Sequence, residues 1–107
     1  MEFTYVKFEV LIPEQYIIKL RDELNDAGLL NVGHYDHVLS YVHVKGYWRP
    51  LESSTPYRGT KGKVSFGEEC RVEFTCKADR VGVAKRVIKD IHPYEEPVIH
   101  VLPLFTI

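Results

Sequence analysis

Histidines and acidic residues give this chain the ligand types of a divalent-metal site. Imidazole nitrogens and carboxylate oxygens are common ligands of such ions, and the candidates are His37, His92, Glu95 and His100. His37 and His43, if both lie in one strand, stand about 20 Å apart at roughly 3.3 Å per residue. A site would therefore need the other residues to converge through the fold or across subunits. The alternative is that the histidines are structural or lie in an interface.

The most distinctive segment is His92-Pro93-Tyr94-Glu95-Glu96-Pro97, residues 92–97, called the hinge segment below. Pro93 can end a preceding helix, and Pro97 pushes the residue before it toward an extended conformation. Tyr94, Glu95 and Glu96 are thus held between two prolines as a preorganised binding edge, or they merely shape a connector. A histidine at a helix C-terminus can instead bond a free backbone carbonyl.

A second candidate region is the stretch 46–67, which shows neither helical nor strand periodicity and is longer than most loops of compact domains. Trp48 and Arg49 are typical of interface centres and recognition loops. Arg58 and nearby lysines could bind an anion together with glycine amides, although no Walker-type spacing occurs. The alternative is a solvated, mobile loop.

We assign no catalytic residue. Asp36 and His37 are adjacent, and adjacent strand residues face opposite sides of a sheet, so we expect Asp36 in a turn and His37 on the sheet rather than a proton relay. The predicted ligand-binding residues are Tyr35, His37, Trp48, Arg49, His92, Tyr94, Glu95 and Glu96.

The elements that must position these residues follow from hydrophobic periodicity. Alternating residues predict strands, and apolar residues at helical spacing predict helices, with Gly28 ending the first and Asp79 capping the second. The predicted elements are a strand at 3–12, a helix at 13–28, strands at 35–44 and about 68–77, a helix at 79–91 and a strand at 98–104. This order predicts an α+β, ferredoxin-like βαββαβ domain spanning 1–107, with a four-stranded antiparallel sheet and both helices on one face.

The sheet face without helices should then be unusually apolar and aromatic. We expect a partner subunit to cover it, since such faces are rarely left to solvent. The residues assigned to this face are Tyr5, His37, Leu39, Tyr41, His43, Val98, His100 and Leu102.

Composition limits the class of partner. With 27% charged residues and a formal net charge of −1, the chain has no global field that favours nucleic acid or an anionic membrane. It has no apolar stretch of membrane-spanning length and no signal-like N-terminal segment, so we expect a cytoplasmic protein. Cys70 and Cys76 are too far apart in one strand to pair and should be buried hydrophobes.

Three segments together carry a family resemblance: 33–37 (Gly-His-Tyr-Asp-His), 48–51 (Trp-Arg-Pro-Leu) and the hinge segment. The chain resembles the inserted domain of YqfO-type proteins of the Nif3-like dinuclear-metal family, although the tail after Pro97 departs from the family pattern. The resemblance implies a CutA- and PII-like domain, standing alone, that forms a homo-oligomer, with a trimer favoured. The family's two-metal centre belongs to a flanking domain and transfers to no residue here.

These observations favour a non-enzymatic, CutA/PII-like binding or regulatory module, with a small ligand, a metal ion or a protein partner at clefts between subunits. One alternative is a metal-dependent hydrolase with His37, His92, Glu95 and Glu96 in an intersubunit site. The other is a pure assembly domain. The sequence names no cofactor beyond a possible divalent metal ion.

Overall fold

The computed structural model describes residues 3–105. Its sheet has the strand order β2-β3-β1-β4, and all neighbouring strands are antiparallel. Short 3-10 turns at Glu14–Tyr16 and Ala78–Arg80 precede the two helices. The elements are β1 Tyr5–Ile12, α1 Ile17–Asp26, β2 Ser40–Trp48, β3 Ser65–Lys77, α2 Val81–Ile91 and β4 Ile99–Leu104. Among the described residues, no helix is both long and apolar enough to cross a membrane.

The core lies between one face of the sheet and the two helices. Alternate residues of β1 and β3 point to this side because side chains alternate along a strand, and Leu20, Leu24 and Ile88 meet them from the helices. Phe8 and Phe74 stack with ring centroids 4.9 Å apart and planes 4° apart. Both cysteines are buried and free, as expected.

The second strand begins and ends later than predicted. It starts at Ser40 rather than at residue 35, and β2 and β3 continue pairing through Trp48 and Ser65. The unpaired loop is therefore 49–64, shorter than the predicted 46–67. The paired glycines Gly46 and Gly67 interrupted the sequence signal, since glycine is depleted in strands. In the fold Gly67 leaves space for Trp48, because an added Cβ would lie 3.2 Å from a ring atom, whereas a Cβ on Gly46 would meet nothing within 4 Å.

His37 is not on the sheet, contrary to prediction. Its φ of 56° places it in the left-handed region, and it lies in the segment between α1 and β2. Its Nδ1 lies 2.9 Å from Asp36 Oδ1, so the adjacent pair does meet. The prediction that they face apart assumed an extended strand that does not exist here.

The open face, meaning the sheet face without helices, is also composed differently from the prediction. Residues paired directly across antiparallel strands share a face. Tyr41 pairs with Val72 and His43 with Cys70, so both lie on the helix side, and Leu39 packs against the core. Tyr5, His100 and Leu102 do lie on the open face. The parity of β2 was misjudged because both sides of this edge strand are largely exposed.

The second helix has no side-chain cap. Asp79 lies inside the 3-10 turn that precedes α2, and its side chain makes no capping hydrogen bond, contrary to prediction. The predicted cap assumed that α2 starts directly after Asp79, whereas the regular helix starts at Val81.

Replacing Phe8 by alanine should lower the free energy of unfolding by about 3–5 kcal/mol, because it removes a fully buried ring and leaves a cavity. Urea denaturation followed by circular dichroism measures this change. The matched control is Ile18→Ala on α1, whose residue is 65% exposed; it should change stability by no more than about 0.5 kcal/mol. Equal losses in the two variants would contradict the placement of Phe8 in the core.

Candidate functional site

A cleft of about 790 Å³ lies at one end of the open face. Its walls come from β2 and β3, from the loop 49–64 and from the hinge segment, and Leu11 and Val98 form part of its floor. We call it the hinge cleft. The polar and aromatic residues that matter most below are Trp48, Arg49, Tyr57, Arg58, Tyr94 and Glu95.

One wall is built around Trp48. Its indole Nε1 donates a hydrogen bond to the Arg58 carbonyl oxygen at 3.0 Å, and the Arg58 guanidinium lies 5.1 Å from the ring centroid. Arg58 Nη2 also lies 3.4 Å from the Glu68 carbonyl oxygen. Gly59 fits tightly beside the indole, because an added Cβ would lie 2.8 Å from Nε1. These contacts hold the loop 49–64 against strands β2 and β3.

The facing wall is built around Tyr94. Its hydroxyl donates to Glu69 Oε2 at 2.6 Å, and Arg58 Nη2 lies 3.5 Å from the same hydroxyl. Burial raises the pKa of Tyr94 strongly, and the neighbouring Glu69 carboxylate raises it further. Tyr94 therefore stays protonated and serves as a fixed donor. The Tyr57 ring lies 5.7 Å from the Tyr94 ring, so loop and hinge segment also meet through aromatic contact.

Glu95 joins the hinge segment to the loop by a second route. Its Oε2 accepts a hydrogen bond from the Thr55 backbone N–H at 2.7 Å. Glu96 lines the same cleft and is exposed. The sequence predicted that these carboxylates form a binding edge or only shape a connector, and the structure puts this segment against the loop.

His92 lies behind the cleft and supports it. The side chain is largely buried, and its Nε2 lies 2.6 Å from the Leu11 carbonyl oxygen while Nδ1 lies 3.2 Å from the Tyr94 backbone N. These contacts assign a neutral ring with the proton on Nε2, donating to Leu11 and accepting from Tyr94. Burial lowers the pKa of His92, although the Leu11 hydrogen bond and the Glu69 charge oppose this. Both ring nitrogens are used within the chain.

The structure brings together most of the predicted ligand-binding residues. Trp48, Arg49, Tyr94, Glu95 and Glu96 all line the hinge cleft. The remaining three, Tyr35, His37 and His92, are not part of its lining.

The four candidate metal ligands each contact different neighbours. His37 contacts Asp36 and Asn25, His92 is held by Leu11, and His100 pairs with Glu9 on the open face. Glu95 holds the loop through Thr55. Within residues 3–105, these four do not form a common ligand cluster.

Sequence reasoning did not place Glu69 or Leu11 at the site. Alternation along a strand gives the side on which Glu69 lies but not its neighbours in the fold. Its role depends on the pairing of Val44 with Glu69 and on the path of the hinge segment, and both are tertiary features. Arg58 was predicted only as an anion-binding candidate of the loop, and composition was the signal for it.

Comparison with known proteins gives the chain its family context. No family model matches it. The "GTP cyclohydrolase 1 type 2 homolog" of Staphylococcus epidermidis is 35% identical over 94 residues, which are 88% of this chain and 26% of that protein. The crystal structure of a Bacillus cereus protein related to NIF3 matches with a TM-score of 0.82 at 27% identity, over 97% of this chain and 26% of that chain. The chain is homologous to one segment of Nif3-like proteins.

The resemblance derived from the three sequence segments is thereby confirmed. The chain spans about a quarter of the length of the relatives that it matches. It also shares its fold with the periplasmic divalent cation tolerance protein CutA from Archaeoglobus fulgidus, with a TM-score of 0.71 at 13% identity over 95% of this chain and 85% of that one. The predicted CutA-like ferredoxin-like fold is confirmed.

The buried ring of His92 should make stability depend on pH. Because its pKa is lower folded than unfolded, the unfolded chain binds more protons between the two values, and stability falls as pH drops below about 6.5 toward the folded pKa. His92→Gln keeps a donor toward Leu11 but cannot titrate. We expect the stability advantage of the wild type over His92→Gln to shrink across this window in urea denaturation.

The other histidines are present in both proteins and cancel in this comparison. The measurements should run from pH 7.5 to pH 5, roughly one unit above and more than one below the ordinary histidine pKa. If the difference in unfolding free energy between wild type and His92→Gln stays constant over this range, His92 is not buried in the neutral form.

Proposed function

We propose that the chain is a small-ligand-binding module of a homo-oligomer, with the hinge cleft as its ligand site. One observation carries the proposal. The two walls of the cleft are joined by independent contacts, Glu95 to Thr55, Arg58 to Tyr94 and Tyr57 to Tyr94. A concave site held by such contacts before a ligand arrives is typical of binding pockets, because little order remains to be imposed on binding.

The lining suits a planar ligand that carries negative charge. Trp48, Tyr57 and Tyr94 offer aromatic faces, and Arg49 and Arg58 offer guanidinium groups that match phosphate or carboxylate. Tyr94 and Glu69 supply fixed polar groups at the base. A nucleotide meets this description, and the name of the staphylococcal relative makes GTP the first probe.

The open face supports the homo-oligomer. Tyr5, Val42 and Leu102 are apolar residues on it that remain 36–49% exposed. Between them runs a charged row in which Lys7 meets Glu9 and Glu73 at 3.2 and 3.8 Å. The neighbouring Arg71 Nε lies 3.7 Å from Glu73 Oε1 and extends this row. A second copy that covered this face would bury the apolar residues and would place the cleft at a subunit boundary; a trimer is the favoured assembly.

GTP binding should be visible through Trp48, the chain's only tryptophan. We expect GTP to change the Trp48 emission and to raise the melting temperature, because a ligand that binds only the folded state stabilises it. Arg49→Ala should weaken binding by about tenfold or more, the loss expected for one charge-assisted contact. The matched control is Lys61→Ala, a change in the same loop outside the cleft lining. Isothermal titration calorimetry measures both.

Four outcomes of this titration and of the subunit count decide between the candidate functions. GTP recovered intact after incubation supports a binding module, whereas conversion of GTP by the protein with an added divalent metal supports the hydrolase alternative. No heat, no emission change and no thermal shift with GTP or with inorganic phosphate would overturn the nucleotide proposal. An oligomer that binds neither probe would favour the assembly domain.

Oligomer formation is tested by charging the open face. Val42→Glu should give a folded monomer. The chain should fold because the new carboxylate can pair with Arg71, the direct partner of residue 42 on β3. It should not assemble because burying this carboxylate in an interface is costly. Ile18→Glu is the control, because Ile18 is an exposed apolar residue on α1 at the other surface. Native mass spectrometry counts the subunits. A wild type that is monomeric, or a Val42→Glu protein that stays oligomeric, would contradict this use of the face.

A further inference from the structure

We propose a second site, for a zinc ion, formed by Glu14, His43 and Cys70 on the helix side of the sheet. One potential ligand atom from each of these residues lies within 4.8 Å of the other two. His43 Nε2 and Glu14 Oε1 are already 3.4 Å apart. The site is separate from the hinge cleft, because none of the three residues lines that cleft.

Strand register brings the three residues together. His43 of β2 and Ile12 of β1 are both direct partners of Cys70, on either side of β3. Directly paired residues project from the same face, so His43 and Cys70 are side by side. The 3-10 turn that follows β1 starts at Glu14 and returns this carboxylate over the same point. Residues far apart in sequence thus meet through three adjacent strands.

The donor set is suited to zinc. Cysteine sulfur, histidine nitrogen and carboxylate oxygen bind Zn²⁺ at roughly 2.0–2.3 Å in tetrahedral sites, which separates neighbouring ligand atoms by roughly 3.3–3.6 Å. The observed 3.4 Å between His43 and Glu14 already matches an edge of that tetrahedron. Both side chains are 59% exposed, so small rotations can bring them toward the fixed, buried Cys70 sulfur. The fourth coordination position of the zinc ion would face solvent and would be filled by water.

Zinc must displace the proton of the Cys70 thiol, because the thiolate is the form that binds the metal. Burial raises the pKa of the Cys70 thiol, and the charges of Glu14 and Glu69 raise it further. A thiol in these surroundings stays protonated near neutral pH. A bound divalent ion reverses the balance, because it offsets the two carboxylates and binds the thiolate directly. Zinc binding should therefore release a proton, and its affinity should rise with pH.

Two buried cysteines on the same strand face provide an internal control. Cys70 and Cys76 are both buried and both have raised pKa values, but only Cys70 has His43 and Glu14 beside it. Cys76→Ser should leave zinc binding intact. His43→Gln and Glu14→Gln change exposed side chains and should fold normally, so the test does not depend on whether Cys70→Ala folds.

The first experiment is calorimetric titration of the reduced, full chain with Zn²⁺ in two buffers of different ionisation enthalpy, which counts ions and released protons. We expect one ion per chain. His43→Gln and Glu14→Gln should each weaken binding by at least the roughly 10- to 100-fold typical of losing an outer-shell partner. Titration with Co²⁺ should give a thiolate-to-metal charge-transfer band in wild type and Cys76→Ser.

Opposite results overturn the proposal. It fails if His43→Gln and Glu14→Gln bind Zn²⁺ as tightly as the wild type, which would assign the ion to other surface histidines. It also fails if the Co²⁺ complex shows no thiolate band, or if Cys76→Ser abolishes that band. None of these outcomes depends on whether the hinge cleft binds GTP.

Discussion

The structure depends on a mismatch in length between two paired strands. β3 has 13 residues and β1 has eight, and their register ends at Ile12 opposite Cys70. Residues 65–69 therefore extend beyond β1 and pair only with residues 44–48 of β2. A two-stranded ribbon of this kind is marginally stable in water without a further surface to pack against. The loop 49–64 and the hinge segment supply that surface, and the space left between them is the hinge cleft.

The contacts of Leu11 fix where the hinge segment crosses the end of the sheet. The Leu11 carbonyl accepts from His92, and its N–H donates to the Val98 carbonyl at 3.2 Å. One backbone position thus holds the chain at both ends of the segment 92–98. Pro93 and Pro97 limit the backbone in between. Tyr94 projects toward Glu69 in the arm formed by 44–48 and 65–69, and Glu95 projects toward Thr55 in the loop. The histidine that looked like a metal ligand in the sequence is the residue that anchors this geometry.

Local sequence patterns predicted the helices and strands. They did not predict which face of β2 points toward the helices or where that strand ends, because strand pairing in the fold determines both. Alternation along β1 and β3 and helical spacing in α1 and α2 gave the ferredoxin-like order, because each of these elements has one buried side and one exposed side. The residues of β2 alternate as a strand should, but the alternation did not show which face of β2 points toward the helices. Both faces of this edge strand are largely exposed, so neither is marked by consistently apolar residues. Gly46 of β2 pairs with Gly67 of β3, and Gly67 leaves room for the Trp48 ring, a contact that no local pattern encodes. The left-handed His37 followed no pattern in the sequence.

In the hinge cleft, too, local sequence patterns predicted some residues, and the others depend on tertiary contacts. The two prolines around Tyr94 and Glu95 indicated a rigid edge, and composition indicated recognition by Trp48 and Arg49. Glu69 could not be chosen from the other strand carboxylates, because its partner Tyr94 is 25 residues away. Sequence spacing could not predict the cluster of Glu14, His43 and Cys70 for the same reason. These residues meet only through the register of three strands.

Glu69 and Cys70 are consecutive residues that face opposite sides of the sheet, one toward the hinge cleft and the other toward the cluster with His43. The Glu69 charge raises the pKa of both Tyr94 and Cys70, so one carboxylate acts on both sites. A divalent cation bound at Cys70 would offset that charge and make the potential in the cleft more favourable to an anionic ligand. Coupling between binding sites is reciprocal, so an anion in the cleft would strengthen cation binding by the same factor. If both sites bind as proposed, Glu69, at the point where β1 ends beside β3, would couple the two ligands across the sheet.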